Sequence, residues 1–266
     1  APVMAANIAC MPAIETPTYL VISVLDTDNV TRAAHTQTIL GASSSNVYCS
    51  LQNLYVTSTN FLATDIIKFS LKGFAPEFVA QGKVNGYVLN QYSMDEYKGN
   101  FRIATTSYAD VEQKNDNGND STVSVGNTVN NVYVLDKNLK TIGKLEGLAP
   151  TERIYSARFD KDMGYLVTYR QMDPLFAIDL SNPTAPKVLG ELKIPGFSEQ
   201  LHSFDDKTLL GIGQDDDRRT KVSLFDVSNP QSPIELASET LAQLLFAKGM
   251  VSTSDIYVYS TAQSSY

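Results

Sequence analysis

Short runs of β-branched and aromatic residues recur along the chain, and Gly, Pro, Asn and Asp separate them. This pattern is typical of β-strands joined by tight turns, whereas the periodicity of amphipathic helices is scarce. The clearest runs occupy residues 19–25, 46–57, 66–71, 131–135, 164–169, 175–180, 208–212 and 222–227. The pattern therefore predicts an all-β protein.

A repeated phrase sets the size of the structural unit. Residues 175–192 read LFAIDLSNPTAPKVLGEL, and residues 223–236 read SLFDVSNPQSPIEL. Asp179 and Asp226 begin equivalent turns 47 residues apart, and Asp136 ends a similar strand 43 residues before Asp179. Because proline keeps the preceding Asn out of the helical region, the phrase predicts a strand, a turn and a second strand.

This spacing matches the roughly 40 to 50 residues of a four-stranded propeller blade. We therefore expect a β-propeller, or an open arc of blades, with four antiparallel strands in each blade. Repeat arithmetic predicts about five to six blade units in the chain. The polar stretch 110–130 interrupts the series and is predicted to be a solvated loop.

Several long phrases carry a family resemblance. Residues 82–106 read GKVNGYVLNQYSMDEYKGNFRIATT, and KLEGLAPTERIYSARF, YLVTYRQMDPLFAIDL, KVLGELKIPGFSEQLH and LLGIG follow between residues 143 and 213. Over residues 19–241 the chain resembles secreted bacterial and archaeal proteins with a C-terminal β-propeller domain distantly related to WD repeats. The resemblance implies export, with the protein secreted or held in the cell envelope or periplasm.

Two segments depart from the family pattern. Members usually have a longer acidic segment where residues 214–221 stand, and residues 242–266 follow the pattern poorly. We therefore expect residues 1–266 to form a single β-propeller domain from which loops or further chain of the parent protein are absent.

Composition limits the kinds of partner that the protein would bind. The chain has 266 residues and a net charge of -8, so its surface repels phosphate backbones and nucleic-acid binding is disfavoured. Cations, basic peptides or metal ions are more compatible partners. No apolar run is long enough for a transmembrane helix. Cys10 and Cys49 would pair in an oxidising compartment or stand as separate thiols, and the sequence leaves both open.

Catalytic motifs are absent: the chain contains no G-x-S-x-G, phosphate-binding loop or H-E-x-x-H. It has two histidines, and His202 stands near Glu199, Asp205 and Asp206. His202 would serve as a metal ligand or a general base. The alternative, which we favour, is a histidine that hydrogen-bonds the backbone at a turn.

Three arginines form the most suggestive set. Arg153, Arg158 and Arg170 fall within one blade unit, beside Glu152 and Asp173. Connections between propeller strands gather on two faces, so these arginines would form a pocket for a carboxylate or another anion. The alternative is a set of buried ion pairs that join neighbouring blades, and the acidic composition favours it.

Paired carboxylates occur at Asp95 and Glu96, which would bind a cation or face the arginine set. Adjacent strand residues point to opposite faces, so these two cannot by themselves form the acid and base of a glycosidase. Carboxylates that cap a hairpin turn are the plainer explanation.

A run of three acidic residues, Asp215, Asp216 and Asp217, is a possible calcium site. Calcium requires several oxygens from one loop, but the run lacks the spacing of a calcium-binding loop. A solvated acidic loop is the favoured interpretation, and no other cofactor is expected.

These observations predict an exported scaffold that binds a protein or cell-surface ligand on one propeller face, with no evident catalysis. The alternative is a metal-assisted or carboxylate-based hydrolase with its site near His202, Arg170 and Asp173.

Overall fold

The structure is a computed structural model that describes residues 8–10, 18–40, 46–59, 62–73, 75–114, 120–169 and 173–240. These residues contain nineteen strands and a 3₁₀ turn at Gln91–Ser93. The strands are β1 (Ile8–Cys10), β2 (Tyr19–Val24), β3 (His35–Leu40), β4 (Asn46–Cys49), β5 (Asn53–Thr59), β6 (Ala63–Ser70), β7 (Glu77–Asn85), β8 (Met94–Tyr97), β9 (Asn100–Lys114), β10 (Asp120–Leu135), β11 (Thr141–Leu148), β12 (Arg153–Asp160), β13 (Met163–Tyr169), β14 (Asp173–Asp179), β15 (Lys187–Ile194), β16 (Phe197–Ser203), β17 (Thr208–Gln214), β18 (Thr220–Asp226) and β19 (Ile234–Thr240).

These strands form five sheets within the described ranges. Four are four-stranded antiparallel sheets, which we call blade 1 (β4–β7), blade 2 (β8–β11), blade 3 (β12–β15) and blade 4 (β16–β19). The fifth, the N-terminal sheet, has the order β1-β3-β2, with β1 parallel to β3. The predicted all-β architecture of four-stranded antiparallel blades is confirmed.

The first strands of neighbouring blades lie side by side. Ser156 of β12 donates to the carbonyl oxygen of Ser198 in β16 at 2.7 Å. Further along, the Nε of Arg158 lies 3.4 Å from the hydroxyl of Ser203. Because both partners advance together along the chain, β12 and β16 run parallel. The first strands therefore begin at one face, the start face, and end at the other, the end face.

Apolar side chains are buried between consecutive blades. Blades 1 and 2 enclose a cluster in which the rings of Tyr55 and Phe101 stack with centroids 4.2 Å apart. Phe159 and Phe176 belong to the cluster between blades 2 and 3, and Phe225 to that between blades 3 and 4. Each fully buried aromatic side chain contributes about 2–3 kcal/mol of transfer free energy, so the blade interfaces are the hydrophobic core.

The repeated phrase folds as predicted into turns on the end face. Asp179 Oδ1 accepts a hydrogen bond from the backbone N–H of Ser181 at 2.8 Å. Asp226 Oδ1 accepts the equivalent bond from Ser228 at 2.8 Å. Each aspartate side chain takes the place of a backbone acceptor in the turn. Backbone N–H groups are therefore hydrogen-bonded where the third strand of each blade ends.

These turns also dock against the preceding blade. Gly143 lies on the outermost strand of blade 2, and a Cβ there would overlap the carbonyl oxygen of Pro183 in the blade 3 turn. Gly190 has the same place in blade 3, where a Cβ would lie 2.5 Å from the carbonyl oxygen of Gln231 in the blade 4 turn. Glycine at both positions lets the backbones touch.

The predicted loop at residues 110–130 is wrong in the described part. β9 and β10 pair up to Lys114 and Asp120, with a register shift between Ser124 and Thr128. The ladder satisfies the backbone hydrogen bonds regardless of side-chain polarity, so a polar stretch forms a long hairpin. Because β9 runs from the end face towards the start face, this hairpin extends beyond the start face.

Candidate functional site

A cleft of about 510 Å³ opens between the first strands of blades 1, 2 and 3. Its lining combines aromatic, polar and charged side chains from three strands and the 3₁₀ turn: Val47, Tyr48, Cys49, Gln91, Tyr92, Met94, Asp95, Arg158 and Phe159. A smaller pocket, with room for about one water, continues from Tyr92 between β12 and β16, where Ser156 and His202 line it. We call the 510 Å³ cleft the channel.

Arg158 brings a positive charge into the channel. The side chain is partly buried on β12, and its Nε reaches only the Ser203 hydroxyl, at 3.4 Å. No carboxylate among the described side chains lies within ion-pair distance of its guanidinium. In an acidic protein, an arginine in a cleft without a carboxylate partner is available to an anionic ligand.

Asp95 is held by an arginine that the sequence interpretation overlooked. Its oxygens accept from Arg102 Nε at 2.6 Å and Arg102 Nη2 at 2.5 Å. Arg102 is only 3% exposed, donates to the carbonyl oxygen of Lys161 in blade 3, and lies between the rings of Tyr97 and Phe159. Burial raises the pKa of the Asp95 carboxyl, and the Arg102 contact opposes that rise. The ion pair thus lies within blade 2, and Arg102 reaches blade 3 through its bond to Lys161. Neither Arg153 nor Arg158 forms the predicted interblade ion pair among the described residues.

Glu96 points the other way, towards blade 1. Its carboxylate accepts from the Ser50 hydroxyl at 2.6 Å and from the Asn53 amide at 2.8 Å. The prediction that Asp95 and Glu96 face opposite directions is confirmed by these partners. Both carboxylates contribute to blade packing, and Asp95 also lines the channel.

The arginine set does not converge. Arg153 begins β12 and Arg158 stands five residues later, so their Cα atoms lie about 16 Å apart along the strand. Arg170 lies outside the described residues. Asp173 begins β14, the third strand of blade 3, opposite Ile194, and its side chain is likewise outside the described part.

His202 lies on β16, beside the channel. Burial lowers the pKa of its imidazole, and the charge of Arg158 lowers it further. The ring contacts the side-chain oxygen of Gln200 at 3.4 Å, whereas Glu199 accepts from Gln214. The expected backbone bond at a turn is absent from the described contacts. Neutral His202 therefore acts as a polar wall of the smaller pocket.

Two of the three consecutive aspartates converge on Arg219, and the third bonds elsewhere. Asp215 accepts from the backbone and guanidinium of Arg219, Asp216 accepts from the backbone N–H of Gly196, and Asp217 pairs with Arg219. Across the described ranges, no three His, Cys, Asp or Glu side chains are grouped to hold a metal. Calcium binding at this turn stays a prediction.

Cys49 has an exposed free thiol that lines the channel. The side chain of Cys10 lies outside the described part. The described residues contain no helix long and apolar enough to cross a membrane.

A cluster on the start face was not foreseen from the sequence. The rings of Tyr87 and Tyr108 lie 6.5 Å apart, and those of Tyr155 and Phe197 lie 5.0 Å apart. The guanidinium of Arg153 lies 5.3 Å from the Tyr155 ring centre and donates to its hydroxyl at 3.0 Å. We call these five residues the aromatic patch. They come from segments that are distant in sequence, so only a search for aromatics near the starts of blades would have found them.

Comparison with known proteins agrees with this architecture. The family model for the beta propeller domain matches residues 1–246. The chain belongs to the beta propeller domain family. An uncharacterised protein of Methanocaldococcus jannaschii is 46% identical over 176 residues, and an uncharacterised protein of Archaeoglobus fulgidus is 43% identical over 185 residues.

These alignments cover 66% and 69% of the propeller chain but only 26% and 27% of the two archaeal proteins. The propeller chain thus spans about a quarter of the length of these relatives. The patch, the channel and the blade contacts described above all lie within the residues that the family model matches.

Proposed function

We propose that this propeller domain is a scaffold that binds another protein through its start face. The aromatic patch is the observation that carries the proposal. Tyrosine and arginine are the residues that most often dominate the binding energy of protein interfaces. Here they form one group at the face beyond which the long β9–β10 hairpin extends.

The patch has the exposure that a binding surface needs. Tyr108 is 41% exposed and Arg153 is exposed, whereas Tyr87, Tyr155 and Phe197 are half-buried. Stacking on Tyr155 restrains the Arg153 side chain before any partner arrives, which lowers the entropy cost of binding. A partner that covers the patch would bury aromatic area already fixed by the blades.

Charge supports a protein partner over a nucleic acid. The net charge of -8 opposes a phosphate backbone, and Arg153 supplies a single positive charge on an otherwise uncharged patch. We therefore infer a partner with an apolar surface that carries an acidic group, such as a cell-surface protein.

Captured partners test the proposal. The intact protein, immobilised, is incubated with envelope extract of its host, alongside Tyr108→Ser and Arg153→Glu variants. Leu51→Ser is the matched control, because Leu51 is a fully exposed apolar residue, 101% accessible, at the β4–β5 turn on the end face. A partner retained by the wild type and Leu51→Ser but lost from both patch variants supports the start face. Equal retention by all four proteins contradicts it.

We propose in addition that the protein works outside the cytoplasm, in line with its resemblance to exported propeller proteins. Fractionation of host cells tests this with a specific antibody. We expect the protein in the medium, periplasm or envelope fraction, and its recovery in the cytoplasmic fraction alone would contradict export.

A further inference from the structure

We propose that the channel binds a carboxylate-bearing ligand through Arg158, independently of any partner on the start face. The ligand class follows from three features of the channel: its charge, its walls and its volume.

Charge comes first. The channel contains Asp95 and Arg158, and Arg102 reaches Asp95 from behind. Arg102 holds Asp95 through two hydrogen bonds, of 2.6 and 2.5 Å. The charge of Arg158 also acts on Asp95, but no ion pair forms between them. The nearby Glu96 carboxylate bonds with Ser50 and Asn53 of blade 1 and does not line the channel. An anion in the channel would meet an arginine that has no carboxylate within ion-pair distance in the described part of the chain.

Arg158 is also suited to a carboxylate by geometry. A guanidinium presents parallel N–H donors that match the two oxygens of a carboxylate. Only the Nε of Arg158 is engaged, at 3.4 Å from Ser203, so its terminal nitrogens have no acceptor among the described residues. Partial burial on β12 lowers the surrounding polarity, which strengthens an ion pair relative to open solvent.

The walls favour a ligand with a planar apolar body. Tyr48, Tyr92 and Phe159 line the channel with Met94 and Val47. A volume of about 510 Å³ falls within the range of sites for small molecules or a chain terminus. An aromatic acid, or a peptide ending in an aromatic residue, would pack against the aromatic walls and pair its carboxylate with Arg158.

Cys49 supplies a reporter inside the channel. Its thiol is exposed and free, so alkylation can be followed at this residue by peptide mass spectrometry, separately from Cys10. Iodoacetate carries a negative charge and iodoacetamide carries none. The ratio of their rates at Cys49 therefore reports the local potential, because an anion is concentrated near a positive charge.

The experiment uses the intact protein, Arg158→Gln and the matched control Arg218→Gln, an exposed arginine in the turn between β17 and β18. We expect Arg158→Gln to lower the iodoacetate-to-iodoacetamide ratio at Cys49 about threefold or more, as one unit charge would across a solvated cleft. Arg218→Gln should leave the ratio unchanged. An equal ratio in the wild type and both variants would overturn the proposal.

Ligand protection provides the second arm and needs no variant. Benzoate represents free small carboxylates, the peptide Gly-Gly-Phe represents a chain terminus, and benzamide is the neutral control. Protection of Cys49 against iodoacetamide by benzoate or by the peptide, but not by benzamide, supports the proposal and identifies the source. If neither acid protects more than benzamide, the channel does not select carboxylates and the proposal fails. Neither result depends on the start-face capture.

Discussion

The Arg102–Asp95 pair is buried within blade 2, where Arg102 also contacts blade 3, and it offers the sharpest test of how this region is stabilised. Arg102→Met removes the guanidinium but keeps an apolar stem between the rings of Tyr97 and Phe159. The variant leaves Asp95, whose side chain is only 19% exposed, without its cation. Removing one partner of a buried pair costs about 3–5 kcal/mol, because the other charge stays desolvated. We expect a loss near 3 kcal/mol, since Asp95 keeps some contact with solvent.

Lys98→Met is the matched control. Lys98 lies in the turn of the same β8–β9 hairpin and pairs with Asp162 of blade 3 at 2.8 Å, but their side chains are 61% and 40% exposed. An exposed pair contributes about 0–1 kcal/mol, so this variant should be close to the wild type. The free energy of unfolding is measured by urea denaturation, with the slope checked for constancy.

The double variant Asp95→Leu/Arg102→Met completes the test. Removing both charges should recover part of the stability lost by Arg102→Met alone, because no unpaired carboxylate remains. The penalty of Arg102→Met should also shrink at acid pH. Without the cation the folded pKa of Asp95 rises further above 3.8, and protonation then removes the buried charge. Equal small losses for Arg102→Met and Lys98→Met would refute a stabilising buried pair.

Three further predictions concern packing and titration. Gly143→Ala and Gly190→Ala should each lower the free energy of unfolding by about 2–3 kcal/mol, because the added Cβ forces blades apart. Gly99→Ala, in open space at φ +78, should lower it by about 1 kcal/mol. Thermal denaturation distinguishes the two outcomes. His202 has a folded pKa below its ordinary 6.5, so stability should fall as pH drops from 6.5 towards that pKa. In urea denaturation at several pH values, His202→Gln should reduce this loss. An unchanged pH profile would contradict a buried neutral imidazole. Asp179→Ala should lower stability by about 1 kcal/mol at pH 7, because the Asp179 carboxylate accepts the turn hydrogen bond from Ser181. This loss should vanish as pH falls through the Asp179 pKa, which lies below 3.8. A loss that persists at low pH would contradict a hydrogen bond to the charged carboxylate.

The blade unit could be predicted because its signal is local. Asp179 and Asp226 each organise a turn with residues two positions ahead, so their chemistry repeats wherever the same turn recurs. Alternating burial along β18 likewise follows from the strand period. The hairpin of β9 and β10 was predicted as a loop because its side chains are polar, and side-chain polarity does not reveal a backbone hydrogen-bond ladder.

The candidate site could be predicted only in part. Arg158 was one of three arginines considered for an anion pocket, with buried ion pairs as the favoured alternative, and the structure places it in the channel. Nothing in the sequence around Arg102, however, indicates that it pairs with Asp95, seven residues earlier on the neighbouring strand of a hairpin. The aromatic patch depends on contacts such as Tyr155 with Phe197, which different blades supply, and pairing between blades leaves no periodic trace in one sequence.

The central claim is that the start face is the binding surface of this propeller. Photo-crosslinking in the native host tests it most directly. A benzoylphenylalanine is placed at position 108 in the aromatic patch and, separately, at position 51 on the end face, where both native side chains are exposed. We expect a defined protein adduct from position 108 and none from position 51. Adducts from position 51 alone, or the same adducts from both positions, would contradict it.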